Sequence, residues 1–229
     1  IDRSQQQQRL AITPFGVSLP HSLSQKLSGV LQGDYQPVDL LCMVAHAKAH
    51  LKHSAFFQPV GKFKHLSLAV ISLLEDERVE RLINEDIEGI SAVFTSRMDM
   101  AKALSIGGVE TQLAKMSVCL NRKHNVYEDY WCGKALDMYE QALHSGGGFA
   151  ALREAGSILA NDLGQMRYRF DHTKYAVWPP YRDDNSILWT DASAEQKVQE
   201  SVTHSRTSSP SEPDLAPKQE KLIFYYDEW

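Results

Sequence analysis

What the sequence is short of narrows its class before any motif is read. No uninterrupted apolar run in the 229 residues approaches the roughly 18 needed to cross a bilayer, so no membrane span is expected. There is no basic excess either. Lys and Arg number 24 against 29 Asp and Glu, a formal charge of −5, which argues against a mainly electrostatic nucleic-acid binder. Cysteine is scarce, and Cys42, Cys119 and Cys132 stand far apart in no Cys-x-x-Cys spacing. That fits reduced thiols in a cytoplasmic protein better than a disulfide framework or a thiolate zinc site. Asn-Gly or Asp-Gly turns between alternating runs, the usual hairpin signal, are missing. The opening Ile1-Asp2-Arg3, followed by Gln5 to Gln8, has neither Met nor an apolar signal core, so the chain is expected to begin inside a longer one.

What is present is a helical pattern carried by ordinary globular composition, 43% hydrophobic and 23% charged, with enough apolar material for a sizeable core. Pro37 can open a helix, and Val38, Leu41, Val44, Ala45 and Leu51 recur after it at three- and four-residue spacing. A second helix is predicted from about Lys64 to Asn84. Its apolar residues, from Leu66 through Val70 and Leu74 to Ile83, surround nearly the whole projection, the mark of a buried central helix. Further helices are predicted over Ile90–Ala103, Val109–Asn121, Tyr130–His144 and Phe149–Arg169, the last two parted by Gly146-Gly147-Gly148. Tyr168 to Trp189 reads as an extended aromatic segment packed on the bundle. The fold class is therefore all-α: an irregular multi-helix bundle around a buried central helix, with a disordered linker near the C-terminus.

The domain plan follows from composition. Residues 1–19 form an N-terminal tail and 20–190 the helical domain. Residues 191–220, rich in Ser, Thr, Pro, Glu and Gln, cannot offset their ordering entropy by burial and form a flexible linker. Residues 221–229, abruptly aromatic, look like the start of a following domain.

Two constellations carry chemistry. His46, His50 and His53 lie four and three residues apart, on one helix face offset from Leu40, Val44, Ala47 and Leu51. His-x-x-x-His is the spacing at which zinc peptidases present two imidazoles to one ion, but Ala47 stands where their general-base Glu would be. The face reads either as histidines hydrogen-bonded or solvated on a polar surface, or as metal ligands. The second constellation, Glu75-Asp76-Glu77-Arg78-Val79-Glu80-Arg81, sits inside the buried helix, where Glu77 and Glu80 continue the stripe of Leu66, Val70 and Leu73. A buried carboxylate without a partner costs several kcal/mol or takes up a proton. Its partners are sought in Arg78 and Arg81 or in the histidines of the preceding helix. An ion-pair network, a partner-docking surface, and a zinc or iron site of His46, His50 and Glu80 are the three readings.

His46-Ala-Lys-Ala-His50-Leu, then Leu73-Leu-Glu-Asp-Glu-Arg-Val-Glu80, and finally the Tyr-Asp-Glu-Trp ending at Trp229 resemble the NorD/CbbO family of nitric-oxide-reductase and Rubisco activation proteins, more distantly CobT. The resemblance implies a helical N-terminal domain, a variable linker and a following von Willebrand factor A domain with a metal-ion-dependent adhesion site. It also implies a non-catalytic adaptor that works beside a hexameric MoxR-type AAA+ ATPase on a client metalloenzyme, the client being gripped by the following domain. On that reading Glu75, Asp76, Glu77, Arg78, Glu80 and Arg81, with His46 and His50, hold the central helix pair in register and couple it to partners. Tyr168, Tyr175, Trp178, Tyr181 and Trp189 supply the aromatic anchors of a docking surface. The alternative is a metal-binding or degenerate zinc-peptidase-like helical domain using the histidine helix and the carboxylates of the Glu-Asp-Glu-Arg-Val-Glu helix.

Overall fold

The computed structural model describes residues 9–20 and 37–190. A short hairpin pairs β1 (Ala11–Thr13) with β2 (Gly16–Ser18). The helices that follow are α1 (Pro37–His53), α2 (His65–Leu82), α3 (Ile90–Ser96), α4 (Met100–Leu104), α5 (Gly108–Arg122), α6 (Tyr130–His144) and α7 (Gly148–Gln165). Two-residue strands β3 (Gln58–Pro59) and β4 (Trp189–Thr190) pair in parallel. The described part is a helical bundle, as its sequence predicts, and none of its helices is long and apolar enough to cross a membrane. The predicted linker and the start of a following domain fall outside the described residues.

The all-round apolar pattern of α2 has a direct cause: the helix separates two cores. On one side Val70, Leu73 and Leu74 pack with Leu113, Met116, Trp131, Tyr139, Leu152 and Leu159 of α5, α6 and α7. On the other, Val79 joins Cys42 and Met43 of α1, Ile90 and Phe94 of α3, and Trp178, Tyr181 and Ile187 from the segment after α7. Helices α2 and α7 approach so closely that Gly156 is obligatory. A Cβ there would stand 2.5 Å from Ile71 Cγ1 and 3.1 Å from Ile71 Cα.

Three boundaries depart from the sequence reading. The expected helix 90–103 is broken in two, because the Asp99 side chain accepts a hydrogen bond from the Lys102 amide (3.0 Å) and caps a new helix start. The last helix stops at Gln165, four residues early, and Arg167 just beyond it is left-handed (φ 60°). Within the segment expected as a tail, residues 11–18 form the hairpin. Its turn lacks Asn-Gly but is tied by Thr13 Oγ1, which donates to Gly16 O (3.0 Å) and accepts from Phe15 N. Leu10 and Ile12 are fully buried, so burial rather than a turn motif holds these residues.

The most telling correction concerns the orientation of α1. Its sequence stripe suggests that Val44 and Leu51 face the core, yet both are 53% exposed, while His46 and His50 are 0% exposed. Half-exposing a Val or Leu forgoes about 1 kcal/mol each. Leaving buried carboxylates on α2 without partners would cost several kcal/mol apiece. The electrostatic term wins and turns the histidines inward.

Candidate functional site

The buried network is built by three pieces of chain. Helix α1 supplies His46 and, one turn on, His50. Helix α2 supplies Glu75, Asp76, Glu77 and Glu80. The irregular segment after α7 crosses beneath them and supplies Tyr181, Arg182, Asp183 and Asn185, all 3% exposed or less.

Three carboxylates are matched by guanidinium groups. Arg78 grips Glu75 through two bonds of 2.7 Å, and its Nη2 also donates to His53 O. Arg81 Nε donates to Glu77 (3.1 Å) and its other nitrogens reach Glu140 and the Leu120 carbonyl. Arg182 donates to both oxygens of Glu80, at 2.8 and 2.7 Å, and a 3.4 Å bond links it to Glu77. The Tyr181 hydroxyl donates a further bond to Glu80 (3.2 Å).

Two carboxylates remain, Asp76 and Asp183; they face the imidazoles, and Arg182 Nη1 lies 3.8 Å from Asp76 Oδ2 as well. His46 Nδ1 lies 2.9 Å from Glu80 Oε1 and its Nε2 lies 3.1 Å from Asp183 Oδ1. His50 Nδ1 lies 2.9 Å from Ser54 Oγ, while Nε2 lies 3.2 Å from Asp76 Oδ1 and 3.8 Å from Asp183 Oδ1. Ser54 gives its proton to Glu75 Oε1 (2.6 Å), so it can only accept from His50. The rings themselves meet edge to face, centroids 4.6 Å apart. Asn185 braces the pair, donating through Nδ2 to Asp76 Oδ2 and through its amide to Asp183 Oδ2, each 3.2 Å.

The electrostatics follow from this packing. Burial works against a charged His46, but the hydrogen bonds to Asp183 and Glu80 outweigh it and raise the imidazole to about 9. Burial likewise disfavours an ionised Glu80, yet the Arg182 guanidinium and His46 hold it below the usual carboxylate range. Glu77, buried beside Glu80, is pushed up instead.

The sequence reading of this region holds for the ion pairs and changes elsewhere. Histidines on α1 do meet carboxylates on α2. Glu80, however, stands behind His46 on the Nδ1 side, and Asp76 with Asp183 occupies the place expected of it. His53 is only partly buried, and no metal cluster among the described residues includes it. Of the aromatics expected to form a docking surface, Trp178 (8% exposed) and Tyr181 (3%) are core residues, and Trp189 donates its indole N–H to Ser72 Oγ (2.9 Å). Tyr175 is partly buried, and Tyr168 alone of the five is exposed. Arg182, Asp183 and Asn185 were missed as network members. Their signal is a four-residue polar string, Arg182-Asp183-Asp184-Asn185, held between Pro179-Pro180-Tyr181 and Ile187-Leu188-Trp189.

A groove of about 490 Å³ lies on the outer side of α1, lined by Val17, Leu19, Val44, Lys48, Leu51 and neighbours. None of the buried ionisable groups lines it. No family model, curated protein or solved structure matches the chain.

Proposed function

We propose that the chain is a non-catalytic adaptor module of an activator that works in the cytoplasm with a MoxR-type AAA+ ATPase to remodel a metalloenzyme client of the nitric oxide reductase or Rubisco kind. The observation that carries this reading is the fate of the residues behind the NorD/CbbO resemblance. His46, His50, Glu75, Asp76, Glu77 and Glu80 are all buried, and they bond to one another or to shared partners. Groups sealed at 0–3% exposure meet no substrate; they fix how α1, α2 and the 181–185 segment sit together. Such a rigid, charge-locked frame suits a part that transmits force or position between an ATPase and a client-gripping neighbour.

The test is reconstitution of the full chain, with its natural neighbouring domain, and its MoxR-type ATPase. Co-purification and a changed ATPase rate are expected. Neither complex nor rate change at micromolar concentrations would overturn the reading. A hydrolytic peptidase is disfavoured by Ala47, which offers no general base beside His46.

A further inference from the structure

We infer that His46 Nε2, His50 Nε2, Asp76 Oδ1 and Asp183 Oδ1 bind one divalent transition-metal ion of the zinc or ferrous class, as a closed structural site. This goes beyond the adaptor reading and stands independently of it.

The geometry comes first. The four donor atoms lie within 4.8 Å of one another, and all four residues are buried. A tetrahedral ion with donor bonds of about 2.0–2.1 Å spaces its donors roughly 3.4 Å apart. The His46 Nε2–Asp183 Oδ1, His50 Nε2–Asp76 Oδ1 and His50 Nε2–Asp183 Oδ1 separations, 3.1, 3.2 and 3.8 Å, bracket that value. Two imidazoles and two carboxylates form a borderline donor set, suited to zinc or iron rather than to calcium or magnesium.

The second observation is the orientation of the rings. Glu80 accepts only, so His46 Nδ1 must carry a proton. The Ser54 proton is committed to Glu75, so His50 Nδ1 must carry one too. A neutral imidazole in either place therefore aims the bare lone pair of Nε2 at a carboxylate oxygen 3.1–3.2 Å away. Two lone pairs facing each other at that distance repel unless a cation lies between them, either a proton on Nε2 or a metal ion bound by both. Ligating histidines commonly have this arrangement, with the far ring N–H given to a carboxylate or hydroxyl that fixes the tautomer. Here both far-side partners are in place.

Charge supplies the third argument. With Glu75, Glu77 and Glu80 matched to Arg78, Arg81 and Arg182, the two aspartates Asp76 and Asp183 remain in a sealed interior, and Arg182, already shared by Glu80 and Glu77, reaches Asp76 Oδ2 only at 3.8 Å. One divalent ion in the place of the Nε2 protons would offset both carboxylates. The competing, ion-free arrangement puts a proton on His46 Nε2, between it and Asp183 Oδ1, and elemental analysis separates the two. Every donor comes from the protein and each is sealed, so the ion would clamp α1, α2 and the 181–185 segment rather than activate water.

The test uses the full chain, produced without a histidine tag. Elemental analysis should find about one zinc or iron per chain. After chelator stripping, Zn²⁺ at about a hundred times its Kd should raise Tm by roughly 5–10 °C. Co²⁺ in its place should give the visible absorption of a four-coordinate ion. The double variant Asp76→Asn/Asp183→Asn removes both aspartate charges, so it should fold without the ion, bind none and lose the Tm response. His65→Ala, which breaks the exposed stacked pair His65–His172, should keep the ion. No metal and no Tm response in the wild type would overturn the site. So would metal that survives the Asp76/Asp183 substitutions and vanishes with His65.

Discussion

Glu80 and Arg182, 102 residues apart in sequence, form a fully buried two-pronged ion pair with bonds of 2.8 and 2.7 Å. It fastens the end of the helical domain to its central helix. Removing one partner leaves the other charge buried with only its remaining contacts, His46 and Tyr181 for Glu80 or Glu77 and Asp76 for Arg182, and breaking a buried pair typically costs 3–5 kcal/mol, whereas replacing both is much milder. Glu80→Ala is therefore expected to lower unfolding stability by about 3–5 kcal/mol in urea melts followed by circular dichroism, and Arg182→Met by a similar amount. The double substitution Glu80→Gln/Arg182→Met should fall well short of the sum of the two. Additive losses would mean that the pair does not act as a unit.

Gly156 offers a sharper steric test. In a helix interior Gly→Ala ordinarily gains about 1 kcal/mol. At this position the new methyl group would meet Ile71 Cγ1 at 2.5 Å and the α2 backbone at 3.1 Å, so overpacking of about 1–3 kcal/mol should prevail and Gly156→Ala should be net destabilising. Combining it with Ile71→Ala should cost less than the two changes added, because the shortened side chain yields to the methyl group. A stabilised Gly156→Ala protein would show that α2 and α7 are farther apart than described.

How much of this was legible in the sequence differs from element to element. The central place of α2 was legible, because an apolar pattern that wraps a helix leaves no face for water, and Glu77 and Glu80 on that stripe required buried partners. The orientation of α1 was not. Counting hydrophobic residues favours Val44 and Leu51 as the inner face, and only the need to answer carboxylates on another helix reverses it. Arg182, Asp183 and Asn185 were hidden for a related reason, since their partners lie more than a hundred residues away and no periodicity links them. The aromatic segment was recognised but assigned to the surface. Its Trp178 and Tyr181 instead pack against α1, α3 and α5, whose side chains no local pattern identifies as their neighbours.

The thiol of Cys42 should be inert. Its residue is fully buried, and burial together with the nearby Glu80 and Asp39 carboxylates pushes the thiol up to about 12. Only the thiolate reacts readily, so at pH 8 in native buffer Cys42 should resist iodoacetamide for as long as the domain stays folded. Mass spectrometry of the alkylated protein should find Cys42 unmodified in buffer and modified in 6 M guanidinium. Rapid native labelling would mean that the α1 core opens far more often than its burial implies.

At the start of α6 the Asp129 carboxylate caps the helix, accepting from the Cys132 amide at 3.0 Å, and pairs with Lys115. Burial opposes its ionisation, but the hydrogen bond from Lys115, the capping amide and Gln112 bring it from 3.8 down to about 2. A carboxyl group held lower in the folded than in the unfolded chain adds stability that is fully present above about pH 4 and is lost as pH falls towards 2. Asn at this position keeps the cap but not the charge. The stability gap between wild type and Asp129→Asn should thus be about 1 kcal/mol near neutrality, a figure reduced for partial solvent screening, and should close between about pH 4 and pH 2. Chemical denaturation at a series of pH values measures this. A gap that stays constant down to pH 2 would mean that Lys115 and the helix end do not sense the Asp129 charge, and that the cap acts through hydrogen bonding alone.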